Sequence, residues 1–469
     1  MYAMTRIDRG TLTCSKLTDY FLRAAKPRDR WLVGMEVEKM GADASTGRPI
    51  PYDGPGATVR GVLERYHALR GGDAVVEGEH LIGISAPWGA ISLEPGGQVE
   101  WSSQPRGDLA ALESDLADHL RTMDDVAAAV GVRWLDVAVQ PDLPVTDMPW
   151  MPKARYTIMK RYLGAHGKLA HRMMTQTASV QCAFDFESPE DWARRFRAAA
   201  LLAPVAVALF ANSARVDGKD SGWRSYRQAI WRETDPDRCS LPAIVFDEGF
   251  DVEAWVEWVV DVPTIFTQRA RGLCASGVRF RTLLERVGCE AVSMEDWELH
   301  LSSIFTEVRS YSYIEARSAD LLPDPEIFAV PSFWTGLLYQ PDALTEVLAL
   351  CGGHATHERW REAMDSAARK GLDGEAGGKP LRDLAARAVS LSAWALAHGA
   401  ATAPRAGWAP DALLRREHRA VLVEVGERLR GVEQVVAQPV RLARRRDVAQ
   451  DVAELVEGQH QRPLGGVQR

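Results

Sequence analysis

Glu36 and Glu38 sit two residues apart in WLVGMEVEKM (31–40). On a strand, residues two apart point to the same side. Met35, Val37 and Met40 around them are apolar, so the two carboxylates would stand in core text. Carboxylates on a buried face are costly unless they are paired or bind a cation. Glu94 and Glu100 flank the Pro95-Gly96-Gly97 bend of LEPGGQVE, and Glu315 and Arg317 are again two apart in YIEARSAD. Such carboxylates suit a hard cation with oxygen ligands, Mg²⁺ or Mn²⁺. Mg²⁺ commonly arrives with phosphates, and arginine matches phosphate and carboxylate oxygens with paired N–H groups. Arg155, Arg224, Arg227, Arg309 and Arg317 are the arginines near these segments. Each Glu could instead pair with an Arg in a structural network. Three such pairs on separate strands favour a nucleotide–metal site.

Other chemistries lack their residues. There is no GxxxxGK[ST], no strand-leading GxGxxG and no GxSxG, which removes the usual phosphate loops and the nucleophile elbow. His354 and His357 lie three apart but have no third ligand nearby, so they read as a polar helix start. His166 and His171, five apart, do not share a helix face. The six cysteines are Cys14, Cys182, Cys239, Cys274, Cys289 and Cys351, with no CxxC pair; zinc and thioredoxin-like chemistry have no support.

The elements that must position the glutamates follow from pattern. Residues 31–40 read as a strand, and 83–101 as a second strand region broken at Pro95-Gly96-Gly97. Val59 to Leu69 suits a helix. Leu109, Leu112, Leu116, Leu120 and Met123 recur at three and four, predicting a helix over 109–130 with Asp108 as N-cap and Gly131 beyond its end. Strands are expected at 134–139, 179–186 and 311–317. Ser188-Pro189-Glu190-Asp191 predicts a helix start, since Ser caps, Pro fits the first position and acids favour the positive end of the dipole; Pro204 should bend that helix. The loop 142–153, rich in proline (Pro144, Pro149, Pro152), is long enough to be functional. After about residue 340 the reading is helical throughout, including 381–398 and 411–432.

The chain has 469 residues, which as a soft prior would mean about three domains. Its composition is globular, and the net charge of -8 argues against a general nucleic-acid binder. No run of 18 apolar residues occurs and the N-terminus lacks a signal-peptide pattern. A soluble cytoplasmic protein is expected, with no nucleic-acid or membrane partner and a monomeric or homodimeric state. Trp, at 15, outnumbers Phe and Tyr.

At these residues the chain resembles the plant-type glutamate–cysteine ligases. KPRDRWLVGMEVEKMG (26–41), EGEHLIGI (77–84), ISLEPGGQVE (91–100), MPKARYTIMKRYL (151–163) and HRMMTQTASVQ (171–181) are similar to family segments in order. LFANSARVDGKDSGWRSYRQAIWRETDPDR (209–238) is the most specific, followed by SSIFTEVRSYSYIEARSAD (302–320) and PSFWTGLLY (331–339). The likeness covers roughly residues 20–345. It implies an α+β, glutamine-synthetase-like funnel of mostly antiparallel curved sheet surrounded by helices. Because the motifs interleave, it implies one catalytic core over 1–345 with a helical C-terminal portion, 346–469, packed on it.

The resemblance also implies a reaction. ATP phosphorylates the γ-carboxylate of L-glutamate, and the amine of L-cysteine displaces phosphate from the γ-glutamyl phosphate. Carried over position by position, Glu36, Glu38, Glu94, Glu100 and Glu315 become Mg²⁺ ligands. Arg155 and Arg227 grip glutamate and the transferred phosphoryl group, and Arg317 and Arg309 neutralise ATP phosphates. Gln98 orients substrate, and Met173 and Thr177 line the glutamate pocket. Ile265 replaces the aromatic of the family's Asp-Val-Pro-x-aromatic-Phe segment, and Cys182-Ala183 replace an apolar-Asn pair. Both changes bear on the acceptor pocket, so a γ-glutamyl ligase using another amine is the alternative; a non-catalytic homologue would be expected to have lost metal ligands. Cys274 and Cys289 match the position of the family's hairpin disulfide, linked to redox control; two reduced thiols are the alternative.

Overall fold

A computed structural model describes residues 12–399 apart from 271 and 287–290. The chain begins α1 (Cys14–Leu22), β1 (Val33–Asp43), α2 (Val59–Arg70), β2 (Asp73–Glu77), β3 (His80–Ala86), β4 (Gly89–Leu93) and β5 (Val99–Ser103). It continues α3 (Leu109–Val130), β6 (Val132–Leu135), α4 (Ala154–His166), α5 (Ala170–Gln176), β7 (Ser179–Phe184) and α6 (Pro189–Leu209). Next come β8 (Arg215–Val216), β9 (Lys219–Asp220), α7 (Tyr226–Arg232), α8 (Val252–Asp261), β10 (Phe266–Arg269) and β11 (Gly272–Ala275). Then follow α9 (Phe280–Leu284), α10 (Met294–Leu301), β12 (Val308–Ser310), β13 (Ile314–Asp320), α11 (Ala329–Tyr339) and α12 (Pro341–Leu350). α13 (His357–Lys370), β14 (Glu375–Ala376), β15 (Lys379–Pro380) and α14 (Leu381–Ala397) complete the described chain.

Nine strands make one sheet in the order β12-β13-β7-β1-β5-β4-β3-β2, with β6 pairing to the end of β1. Every pairing within it is antiparallel. This is the expected mostly antiparallel sheet with surrounding helices; it is open, with β12 and β2 as its edges. β1 is the organising strand. Its first residues pair with β7, its middle with β5 and its end with β6.

The period of two divides the sheet into two faces. Val33, Met35 and Val37 are buried on one side. Trp101, opposite Val37, stacks on His119 of α3 at 4.7 Å. Phe184 of β7 meets Tyr339 of α11 edge-on at 5.4 Å, and Trp192 of α6 donates to Ser310 of β12 at 3.0 Å. That face is therefore shut by α3, α6 and α11. Glu36 and Glu38 belong to the other.

The helix signals act as read. Asp108 accepts the Ala111 N–H at 2.7 Å, and Gly131 closes α3 in the left-handed region at φ 80. Ser188 accepts the Asp191 N–H at 3.1 Å, with Pro189 first in α6. Residues 198–208 of α6 are all buried, and α11, α12, α13 and α14 pack around this helix. The helical reading beyond 340 misses the short β14–β15 hairpin; the helix expected at 411–432 lies outside the described residues. The β2–β3 hairpin and the subdivision of 83–101 into parts of three strands were also not foreseen. Among the described residues no helix is long and apolar enough to cross a membrane.

Candidate functional site

Antiparallel register carries the carboxylates together. Glu38 lies opposite Glu100, and Glu36 opposite Ser102 on one side and Gln181 on the other. Glu315 lies opposite Ala183 of β7 and Arg309 of β12. Partners across a ladder share a face, so Glu36, Glu38, Glu100, Glu315 and Arg309 all stand on the side away from α3. Glu94 is brought in by the β4–β5 turn, in which its N–H donates to the Gln98 carbonyl at 2.9 Å.

Small polar residues hold these acids. Ser102 donates to Glu36 at 3.3 Å and Ser92 to Glu100 at 2.8 Å. Ser179 and Gln181 donate to the two oxygens of Glu38 at 3.2 and 3.0 Å. Glu36, Glu38, Glu94 and Glu100 remain partly open to solvent, whereas Glu315 is buried. Glu36 and Glu315 border a cleft of about 470 Å³, together with Ser102, Gln181, Gly89 and Tyr313.

Their electrostatics divide them. Burial, then the charges of Glu100 and Glu315, pushes the Glu36 carboxyl well above its usual range. Burial, then Glu100 and Glu94, pushes Glu38 up to about 8. Burial, then Glu100, pushes Glu94 up to about 7. Glu315 behaves oppositely. Burial acts to raise it, but Arg309 and Arg317 outweigh burial and hold it below the usual carboxylate range. Arg309 is paired to Glu315, and Arg317 reaches the same oxygen at 3.1 Å. The resemblance makes all five equivalent ligands; among the described residues Glu315 is ion-paired with two arginines, whereas arginines and Lys153 act on Glu36, Glu38 and Glu94 only from a distance. Among the described residues no three His, Cys, Asp or Glu side chains converge into a ready-made metal cage.

The arginines lie around this face. Arg227, at the start of α7, is 2% exposed. It donates to the Arg317 carbonyl at 3.1 Å and lies 3.7 Å from Asp320, while its Nε and Nη1 have no hydrogen-bond partner. Arg155, in the first turn of α4, lies over the Phe266 ring at 5.5 Å, with its Nε buried and unpartnered. Arg317 also donates to Gln181, which links it to Glu38. Arg224 lies against Gly371, just past the end of α13.

The remaining predicted residues have the following surroundings. Gln98 is 2% exposed and its amide is fully used by backbone. Its oxygen takes the Gly96 N–H at 2.9 Å, and its nitrogen donates to the carbonyls of Met174 and Thr177 at 3.3 and 2.9 Å. These bonds brace the turn against α5. Thr177 donates to the Met173 carbonyl at 2.7 Å, and both are buried. Ile265 is 1% exposed, and its neighbour Phe266 is the residue that faces Arg155. Cys274 is exposed on β11; Cys289 lies outside the described residues. His354 is buried with its ring bonded to the Leu201 carbonyl at 2.8 Å, in keeping with a structural histidine.

A profile described as glutamate–cysteine ligase family 2 matches residues 32–411. The chain belongs to this family. The chloroplastic glutamate–cysteine ligase of Medicago truncatula is 39% identical over 353 residues, 74% of this chain and 69% of its own. That of Arabidopsis thaliana is also 39% identical, over 74% of this chain and 67% of its own. A solved glutamate–cysteine ligase from Francisella tularensis, in complex with AMP, aligns over 92% of this chain and 93% of its own at 11% identity and TM-score 0.47.

In this family member, sequence reading passes over several groups at the site. Ser92, Ser102, Ser179 and Gln181 were readable in principle, because each falls on the carboxylate parity of its strand. Lys153 was not. It donates to the Leu93 carbonyl at 3.2 Å, and burial lowers its ammonium while Glu94 raises it. Glu307 was missed too, since no second acid at strand spacing marks it.

Proposed function

We propose that this chain joins the γ-carboxylate of L-glutamate to the amine of L-cysteine, converting ATP to ADP and phosphate. Membership of a family named for that reaction, and relatives named as glutamate–cysteine ligases, support it. The observation that carries the reading is the set of four part-buried glutamates on one sheet face, beside a buried arginine with free N–H groups. A carboxylate resists attack by an amine until an oxygen is made a leaving group. Transfer of the ATP γ-phosphoryl group forms a bond from a carboxylate oxygen to phosphorus and breaks the bond to ADP. Attack by the amine then forms the C–N bond, expels phosphate and releases a proton.

The donor set suits a hard divalent cation, because carboxylate oxygens gather on one face where burial, then neighbouring carboxylates, raises Glu36, Glu38 and Glu94. Glu36, Glu38, Glu94 and Glu100 would hold Mg²⁺, or Mn²⁺. With no closed cage among the described residues, one or two carboxylates per ion would be completed by phosphate oxygens and water, the habit of Mg²⁺. When bound, such ions offset the charge of ATP and of the attacked carboxylate. The 470 Å³ cleft beside Glu36 and Glu315 is of small-molecule size and takes the nucleotide in this reading. Arg227 and Arg155 have free donors for the anionic groups of glutamate.

ATP turnover with glutamate, Mg²⁺ and a panel of amines tests the reading. Cysteine is expected to give the fastest release of ADP and phosphate, with a γ-glutamyl product. Turnover with another amine and none with cysteine would reassign the acceptor. No turnover with any amine would remove the ligase activity.

A further inference from the structure

Arg238 is 0% exposed, and its guanidinium is bonded on every side by protein. Nε donates to Asp235 Oδ2 at 2.6 Å. Nη1 donates to the carbonyl and to the hydroxyl of Ser303, both at 3.3 Å. Nη2 donates to the Tyr162 hydroxyl at 3.0 Å and to the Pro263 carbonyl at 2.6 Å. These five acceptors match the five N–H donors of an arginine, so none is left for a ligand. Asp235 is also 0% exposed, and its other oxygen takes the Asp237 N–H at 3.1 Å. Desolvation offsets much of the attraction in such a buried pair, so it is weak evidence of stability. What the planar fork does supply is fixed geometry.

Arg155 is the opposite case. Among the described residues it makes one hydrogen bond, from Nη2 to the Ser302 hydroxyl at 3.4 Å, and its Nε is buried without a partner. Its guanidinium lies over the Phe266 ring at 5.5 Å. A long side chain with so few bonds has many rotamers open to it. Its direction must come from what surrounds it.

Each of those surroundings is tied to Arg238. Tyr162 follows Arg155 by seven residues on α4, two turns along the same face, and its ring lies 5.2 Å from the Arg238 guanidinium. Pro263 leads by three residues into Phe266, and Ser303 follows Ser302 directly. The Phe305 N–H donates to the Arg238 carbonyl at 2.9 Å, a second tie to the Ser302 segment. Residues 162, 263 and 303 are far apart in sequence, and one planar group sets the spacing between them.

We propose that Arg238 is a positioning residue for the ligation: through Tyr162, Pro263 and Ser303 it holds α4, Phe266 and Ser302 in the arrangement that points the Arg155 donors at glutamate. This rests on the ligase reading above, in which Arg155 serves an anionic group of glutamate. It adds a group that touches neither substrate nor cation and still sets how well glutamate is held.

Arg238→Ala would strand Asp235 as an unpaired buried charge, so smaller changes make the test. Tyr162→Phe removes one acceptor and keeps the ion pair, the ring and α4. Ser303→Ala removes the other side-chain acceptor and keeps the carbonyl. Each is combined with Arg155→Ala in a double-mutant cycle on the full chain, with thermal unfolding as the check on folding. Turnover is measured with glutamate, cysteine, ATP and Mg²⁺. Tyr162→Phe is expected to raise KM for glutamate about threefold or more while kcat stays within about twofold, and Ser303→Ala should act alike. In the Arg155→Ala background the same changes should alter kcat/KM for glutamate by less than about 1.5-fold. An unaltered KM, an equal effect with and without Arg155, or a loss of kcat that follows the unfolding temperature overturns the assignment and leaves the ligase reading standing. No turnover by the unmodified chain would sink the ligase reading and this assignment with it.

Discussion

Glu38 on β1 and Glu100 on β5 face each other directly across the ladder, two carboxylates where opposite or neutral partners would be more stable. Stability is given up at the place where the chemistry needs charge. Removing one charge should relieve the repulsion, because Ser92 can still donate to a Gln amide oxygen in place of Glu100. Glu100→Gln is expected to stabilise the cation-free protein by about 0.5–1 kcal/mol in urea unfolding. The same variant should lose at least ~100-fold in ADP release, on the scale of a lost charge in the transition state. A less stable variant, or one with ordinary turnover, would contradict this account of the pair.

The carboxyls of Glu38 and Glu94, raised to about 8 and about 7, make a second expectation about pH. In the cation-free protein the folded state keeps protons that the unfolded chain has already released above the ordinary value of 4.5. Stability from these groups is therefore complete at low pH and falls as pH rises through about 7 and 8. A divalent cation binds the deprotonated form and removes this loss. Added Mg²⁺ should raise the unfolding temperature more at pH 8.5 than at pH 6. Equal shifts at both values would mean that the cation binds elsewhere.

How far the sequence carries depends on the residue. The caps of α3 and α6 are local, and Asp108, Gly131 and Ser188 act as their positions predict. The shared face of Glu36 and Glu38 follows from strand parity alone. Its extension to Glu100 and Glu315 needs the register of β5, β7 and β13, which no local pattern states. Gln98 shows the limit more sharply. An amide on a turn can meet a substrate or a backbone, and only the arrival of α5 decides that its partners are Met174 and Thr177. Arg155 lies over the ring of Phe266, one position beyond Ile265, a pairing that depends on how the entry into β10 meets α4 and that no local pattern states.

A third expectation concerns the hairpin that was not foreseen. Glu77, at the end of β2, accepts the Ala154 N–H at 2.6 Å and so caps α4 from a distant element. Arg155 is the next residue. Loss of a side-chain cap costs about 1 kcal/mol and loosens the first turn of a helix. Glu77→Ala should therefore raise KM for glutamate several-fold, with a smaller effect on kcat. Glu77→Gln keeps an acceptor oxygen and should restore most of the loss. If Gln fails where Glu works, the charge rather than the cap is what matters.

The turn carrying Glu94 offers a last test, through two glycines that differ in what surrounds them. A Cβ on Gly96 would lie 2.3 Å from the Thr175 carbonyl oxygen and 2.6 Å from the Thr175 Cα, both backbone of α5. Neither can swing aside as a side-chain tip could. Gly96→Ala must push the turn off the helix, stretching the Gln98 bonds and moving Glu94 with them. Overpacking of this kind costs about 1–3 kcal/mol. Gly131, at the end of α3, also resists a side chain, through its positive φ of 80, but a Cβ there meets nothing within 4 Å. Gly131→Ala should cost about 1–2 kcal/mol from its left-handed backbone and leave turnover unchanged. Gly96→Ala, at a comparable loss of stability, should also lower turnover and raise the Mg²⁺ concentration needed for half-activity. Equal kinetic behaviour of the two variants would separate the turn from the cation-binding face, since both would then act through stability alone.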